Sequence, residues 1–97
     1  MTHDEIREWF ENESDDHFLK DEDIVLWHPN RTISAFMRTA SLLANPADME
    51  FYADHDVIYI ANIDDLVEAS VTEDALVYLS KCGVHYDTDT DGLAIFV

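Results

Sequence analysis

Basic residues are scarce in this chain. Only 5 of its 97 residues are Lys or Arg, against 22 Asp and Glu, for a formal charge of −17. So few cations cannot neutralise a phosphate track, and the acids repel one. Nucleic acid and anionic membranes are therefore excluded as direct ligands. Glycine is nearly missing too. Two residues are too few for the Gly-rich loops that cradle phosphates. The single cysteine, Cys82, excludes an intramolecular disulfide and a zinc-finger pattern. It reads as a small buried apolar residue. No apolar run approaches membrane-spanning length, and the acidic N-terminus lacks the apolar stretch of a secretory signal. The expected setting is cytoplasmic.

What is present argues for a folded domain. Apolar residues make up 47% of the chain, including two Trp, four Tyr and five Phe, so this is no disordered acidic tail. A chain of this size buries roughly 65% of its unfolded surface, enough for one modest core over residues 1–97. The charge is segmented. Met1–Asp23 holds ten acids and two bases, and Asp48–Val97 twelve acids and one base. Ile24–Ala47 holds no acid, only Arg31 and Arg38. Uniform solubilising decoration does not produce that pattern. A surface selected for its field does.

Thr2 with Glu5 spells a capping box and predicts a helix to about Glu13, with Ile6, Trp9 and Phe10 on one face. Asn12–Asp23 reads as an acidic loop. Ile24–Trp27 suits either a strand or a buried turn of helix. Asn30 can cap a helix from Arg31 to about Ala44, where Ile33, Phe36, Met37, Ala40 and Leu43 recur at helical spacing and Asn45-Pro46 ends the run. This acid-free helix is expected either at the centre of the core or at a homodimer interface, where removing carboxylates avoids self-repulsion. Met49–Ala53 and Val57–Ala61 alternate as two strands around Asp54-His55-Asp56. A short helix from Asn62 or Ile63 to about Ala69 follows. Thr72 then caps a helix over Ala75–Cys82, stopped by Gly83. Val84–Asp87 and Leu93–Val97 make a second hairpin. The expectation is an α+β fold: an antiparallel sheet of about four strands in two hairpins, packed with about four helices.

Candidate sites are few. Asp87-Thr88-Asp89-Thr90-Asp91-Gly92 resembles the first six positions of a Ca²⁺-binding EF-hand loop, which implies Asp87, Asp89 and Asp91 as metal ligands. The bidentate Glu of that family would fall at residue 98, beyond the last residue, and a strand precedes the loop in place of a helix. An acidic hairpin turn is the plainer reading, and no cofactor is expected otherwise. The five His are dispersed, with no pair at i, i+4. Paired carboxylates such as Asp15-Asp16 and Asp64-Asp65 are too common here to mark an acid–base site. Trp9, Phe10 and Trp27 are expected in the core.

In charge, length and lack of catalytic machinery, the chain resembles the small acidic DNA-mimic inhibitors of phages and other mobile elements, the anti-CRISPR and anti-restriction class. The resemblance implies a non-enzymatic inhibitor in the host-cell cytoplasm that occupies the basic nucleic-acid-binding surface of a nuclease or defence effector. Immunity proteins that neutralise toxic nucleases use the same electrostatics. The acids implied in partner binding are Asp4, Glu8 and Glu11 on the first helix, Asp15 and Asp16 in the loop, and Asp64, Asp65, Glu68, Glu73 and Asp74 on the later helix pair. Two other classes fit the composition: a halophilic or acidic adaptor domain, and a Ca²⁺-binding module.

Overall fold

The computed structural model describes residues 1–20, 25–43, 52–54 and 56–96. The capping box forms as its spacing predicts. Thr2 Oγ1 accepts from the Glu5 N–H at 3.2 Å, and Glu5 Oε1 accepts from the Thr2 N–H at 2.9 Å. The helix it opens, α1, spans His3–Asn12 and buries Ile6, Trp9 and Phe10. A single 3₁₀ turn follows at Ser14–Asp16. Helix α2, Arg31–Leu42, starts at Asn30, whose Oδ1 accepts from the Ile33 N–H at 3.1 Å. Helix α3, Ile63–Glu68, starts at Asn62, whose Oδ1 accepts from the Asp65 N–H at 2.8 Å. Helix α4, Glu73–Lys81, has Thr72 at its N-cap position, but there the threonine side chain makes no capping bond. Gly83 follows α4 at φ +98°, a conformation that glycine adopts at little steric cost.

The structure is α+β, with the helices packed on an antiparallel sheet. Three strands form its body. A short edge strand β1, Tyr52–Asp54, pairs with the outer side of β2, Val57–Asn62. Strand β3, Val84–Asp87, and strand β4, Gly92–Phe96, make the C-terminal hairpin. The order is β1-β2-β4-β3, so β4 lies between β2 and β3 and welds the two hairpins together. Strand β4 therefore buries Leu93, Ala94 and Ile95 in succession. Its first residue, Gly92, lies opposite Asn62 beyond a register shift in β2. A Cβ at Gly92 would sit 2.6 Å from the Ala61 carbonyl oxygen, so only glycine fits that crossing. The core joins Ile6, Trp9 and Phe10 to Ile60, Ile63, Leu66, Leu76, Leu79, Val84, Leu93 and Ile95. Cys82 is buried as expected, and burial pushes its thiol up to about 11.

Three expectations need correction. Val25–Trp27 forms neither strand nor helix, and Val25 is 88% exposed; Ile24 lies outside the described residues. Trp27 is not core. Its backbone N–H donates to the Tyr78 hydroxyl at 2.9 Å, and its ring lies at the surface beside that of Tyr78. Helix α2 is not the central helix either: Phe36 and Leu42 pack against the core while only partly buried, and the inner side is shared with small residues. Ser34, Ala35 and Thr39 are buried, while Ile33 and Met37 stay 40% and 43% exposed. The buried hydroxyls are satisfied at short range. Ser34 Oγ donates to the His28 carbonyl at 2.5 Å and Thr39 Oγ1 to the Ala35 carbonyl at 2.8 Å. The expected strand residues Met49–Phe51, the helix end at Asn45-Pro46, and Val97 lie outside the described residues.

Candidate acidic interface

Three helices begin in one neighbourhood. His3 Nε2, at the start of α1, lies 2.7 Å from Asp64 Oδ1 at the start of α3. The Met1 amino group donates to the Val71 carbonyl, just before α4, at 3.3 Å. Trp9 Nε1–H of α1 donates to Glu73 Oε1 in the first turn of α4 at 3.2 Å. Each of these first turns carries two acids: Asp4 and Glu5, Asp64 and Asp65, Glu73 and Asp74. The aligned peptide dipoles place about half a positive charge at each helix start. That charge offsets part of the repulsion among the six carboxylates. Helix α2 has no acid in its first turn.

Of the acids singled out from the sequence, Glu8 and Glu73 share the wall of one open cavity of about 320 Å³. Asp64 is tied to the start of α1 through His3. Asp4, Glu8 and Glu11 lie within one sector of α1, exposed, with Asp4 and Glu8 about 6 Å apart along the axis. Asp4 also accepts from Arg7 at 3.1 Å. Glu11 and Asp15 border a second cavity of about 640 Å³, beside Arg7, Phe10, His85 and Tyr86. Asp16, Glu68 and Asp74 are exposed and Asp65 half-buried. The acids thus flank α1 on two sides and do not form a single row. The sequence reading missed Glu5 and Glu13, which line the smaller cavity with Asn12 and Trp9. The i, i+3, i+7 spacing of Glu5, Glu8 and Asn12 was available as a signal.

The molecule measures 29 × 26 × 26 Å, with a radius of gyration of 12.1 Å. Duplex DNA carries one charge per about 1.7 Å of axis, so 29 Å of duplex holds about 17 charges. The chain carries −17 over the same length.

The Asp-rich turn is occupied from within. Asp87 Oδ2 accepts from the Thr90 N–H at 3.2 Å and from Thr90 Oγ1 at 2.7 Å. Asp91 accepts two bonds from Arg7, Nε at 2.9 Å and Nη2 at 2.6 Å, and a third from the Tyr86 hydroxyl. These hydrogen bonds, from Arg7 first and Tyr86 second, hold the Asp91 carboxyl at about 2, well below the usual range. Donating to Asp91 raises the Tyr86 hydroxyl in turn. Asp89 is exposed. Among the described residues, no group of three or more His, Cys, Asp or Glu is placed to hold a metal ion. No helix among them is long and apolar enough to cross a membrane.

Comparison with protein-family models, curated proteins and solved structures finds no match to this chain.

Proposed function

We propose that this chain is a non-enzymatic DNA-mimic inhibitor. It occupies the basic nucleic-acid-binding surface of a nuclease or defence effector, in the manner of anti-restriction, anti-CRISPR or immunity proteins. The observation that carries the proposal is the meeting of three acid-bearing helix starts on a molecule whose charge matches a duplex of its own length. Carboxylates fixed to helix starts are held in place, as phosphates are by a sugar backbone. The mechanism is electrostatic capture at long range, followed by exclusion of nucleic acid from the covered surface. Haloadaptation accounts for acidity in general. Folding at low salt separates the two, because an obligate halophilic domain unfolds there.

Affinity capture tests the proposal. The immobilised chain is exposed to a bacterial lysate at low and at high salt, and bound protein is challenged with duplex DNA. The expected result is recovery at low salt of a nuclease or effector complex that both salt and duplex DNA elute. Recovery that neither salt nor DNA disturbs would contradict it.

A further inference from the structure

The cavity of about 640 Å³ lies where the end of α1 meets the edge strand β3. Phe10, His85 and Tyr86 give it aromatic walls. The Phe10 and Tyr86 rings are 26° from parallel with centroids 6.4 Å apart, and His85 stacks on Phe96 at 4.3 Å. These contacts fix the rings in advance of any ligand. The acids come from the chain just beyond. Helix α1 ends at Asn12, and Ser14 Oγ donates to the Phe10 carbonyl at 2.9 Å, which brings Asp15 back to the same cavity as Glu11. Both carboxylates are exposed, and the ion pairs His3–Asp64, Arg7–Asp4 and Arg7–Asp91 involve neither. Arg7, also in the wall, is already matched: Asp91 accepts from its Nε and Nη2, and Asp4 from its Nη1. Burial pushes the His85 imidazole down, so it is neutral at pH 7 and does not repel a cation.

We infer that this cavity receives an arginine side chain of the partner protein. The inference rests on the mimic reading for the protein that carries the arginine, but not for the site itself. Chemistry selects the occupant. An anion is repelled by Glu11 and Asp15, because Arg7 is already matched. A neutral apolar ligand would desolvate those two carboxylates without pairing them. A lysine ammonium is a compact, strongly hydrated point charge that gains little from a flat ring. A guanidinium is planar and weakly hydrated, so it stacks on an aromatic face while its N–H groups pair with carboxylates. The cavity offers both surfaces in one space, and its volume falls in the roughly 300–1,000 Å³ range of ligand sites. Arginines of a nucleic-acid-binding surface ordinarily meet phosphate, and here a carboxylate pair stands in its place. Long-range attraction to the whole chain is thereby converted into one seated contact.

Titration of the isotope-labelled intact chain with Nα-acetyl-arginine methylamide, followed by backbone amide shifts, tests the site without any partner. Nα-acetyl-lysine methylamide and sodium chloride, at equal concentrations, control for charge and ionic strength. The expected result is saturable shifts at Phe10, Glu11, Asp15 and Tyr86, with half-saturation at about 1–30 mM and weaker binding of the lysine compound. Glu11→Gln combined with Asp15→Asn is expected to stay folded by circular dichroism, since both side chains are exposed, and to weaken arginine binding by about tenfold or more. Asp56→Asn removes an exposed acid from the turn joining β1 and β2, away from the β3 edge, and should leave binding within about twofold. The site is overturned by shifts that sodium chloride reproduces, by lysine that binds as tightly as arginine, or by a double variant that binds arginine like the wild type. In the captured complex the same double variant is expected to dissociate about tenfold faster. An unchanged dissociation rate overturns the assignment to the partner and leaves a free guanidinium compound as the occupant. Failure of the arginine titration leaves DNA-sensitive capture standing, and failure of capture leaves the titration standing, so the two proposals fail separately.

Discussion

At the scale of single residues, Asp91 holds more of the structure than its surface position suggests. Its side chain pairs with Arg7 through two hydrogen bonds and accepts a third from Tyr86. Its backbone carbonyl accepts from the Ile63 N–H at 3.0 Å, at the start of α3. Its φ of +51° belongs to a region that Asp and Asn tolerate better than other side chains. Asp91→Asn keeps that tolerance and removes the charge, so the expected loss is about 1 kcal/mol or less, read from urea unfolding. Asp91→Ala is expected to lose more, since it also strains the backbone. The pH dependence has a definite sign. A carboxyl lowered by folding adds stability above its unfolded value, near 4, and loses it as pH falls toward about 2. Wild type and Asp91→Asn should therefore converge in stability on acidification, which thermal melts at pH 7, 4 and 2 will show. The same contacts bear on calcium. With Asp91 held by Arg7 and Asp87 by Thr90, millimolar Ca²⁺ should raise the melting temperature no more than Mg²⁺ does. A Ca²⁺-specific shift, lost in Asp89→Asn, would establish a site at the turn.

At the scale of elements, α1, α3 and the β3–β4 hairpin were legible because local chemistry agrees with the packing. Thr2 and Glu5, Asn62, and the Asp-Gly turn each name their own position. Helix α2 was legible as a helix but not as a surface. Its apolar period pointed Ile33 and Met37 inward, and nothing local says that Ser34 and Thr39 can satisfy their hydroxyls on nearby carbonyls and take the inner side. Trp27 was misplaced for a related reason: its surface seat depends on Tyr78, 51 residues away. The convergence of three helix starts was likewise invisible, since it rests on contacts from Met1 to Val71 and from His3 to Asp64. The central position of β4 makes a prediction at this scale. Gly92→Ala would push a methyl group against the Ala61 carbonyl and displace β2 from β4. It is expected to lower stability by about 1–3 kcal/mol, read as a reduced urea midpoint with the m-value unchanged.

At the scale of the whole molecule, charge acts collectively. Self-repulsion at −17 opposes the compact state, so stability should rise with added salt. The chain should still fold at low salt, where an obligate halophilic domain unfolds; thermal melts from about 10 mM to 1 M salt distinguish the two. Exposed ion pairs are each worth about 0–1 kcal/mol, so single changes such as Glu8→Gln or Asp65→Asn should barely alter partner binding. Neutralising Asp64, Asp65, Glu68, Glu73 and Asp74 together should sharply slow association with the captured partner and flatten its salt dependence, by stopped flow. Competition itself is the most direct test. The captured partner is purified and loaded with labelled duplex DNA, and the chain is titrated in while a mobility-shift gel is read. The chain should release the DNA completely at saturation and never shift free DNA. A slower-migrating complex that holds partner, chain and DNA together would contradict mimicry.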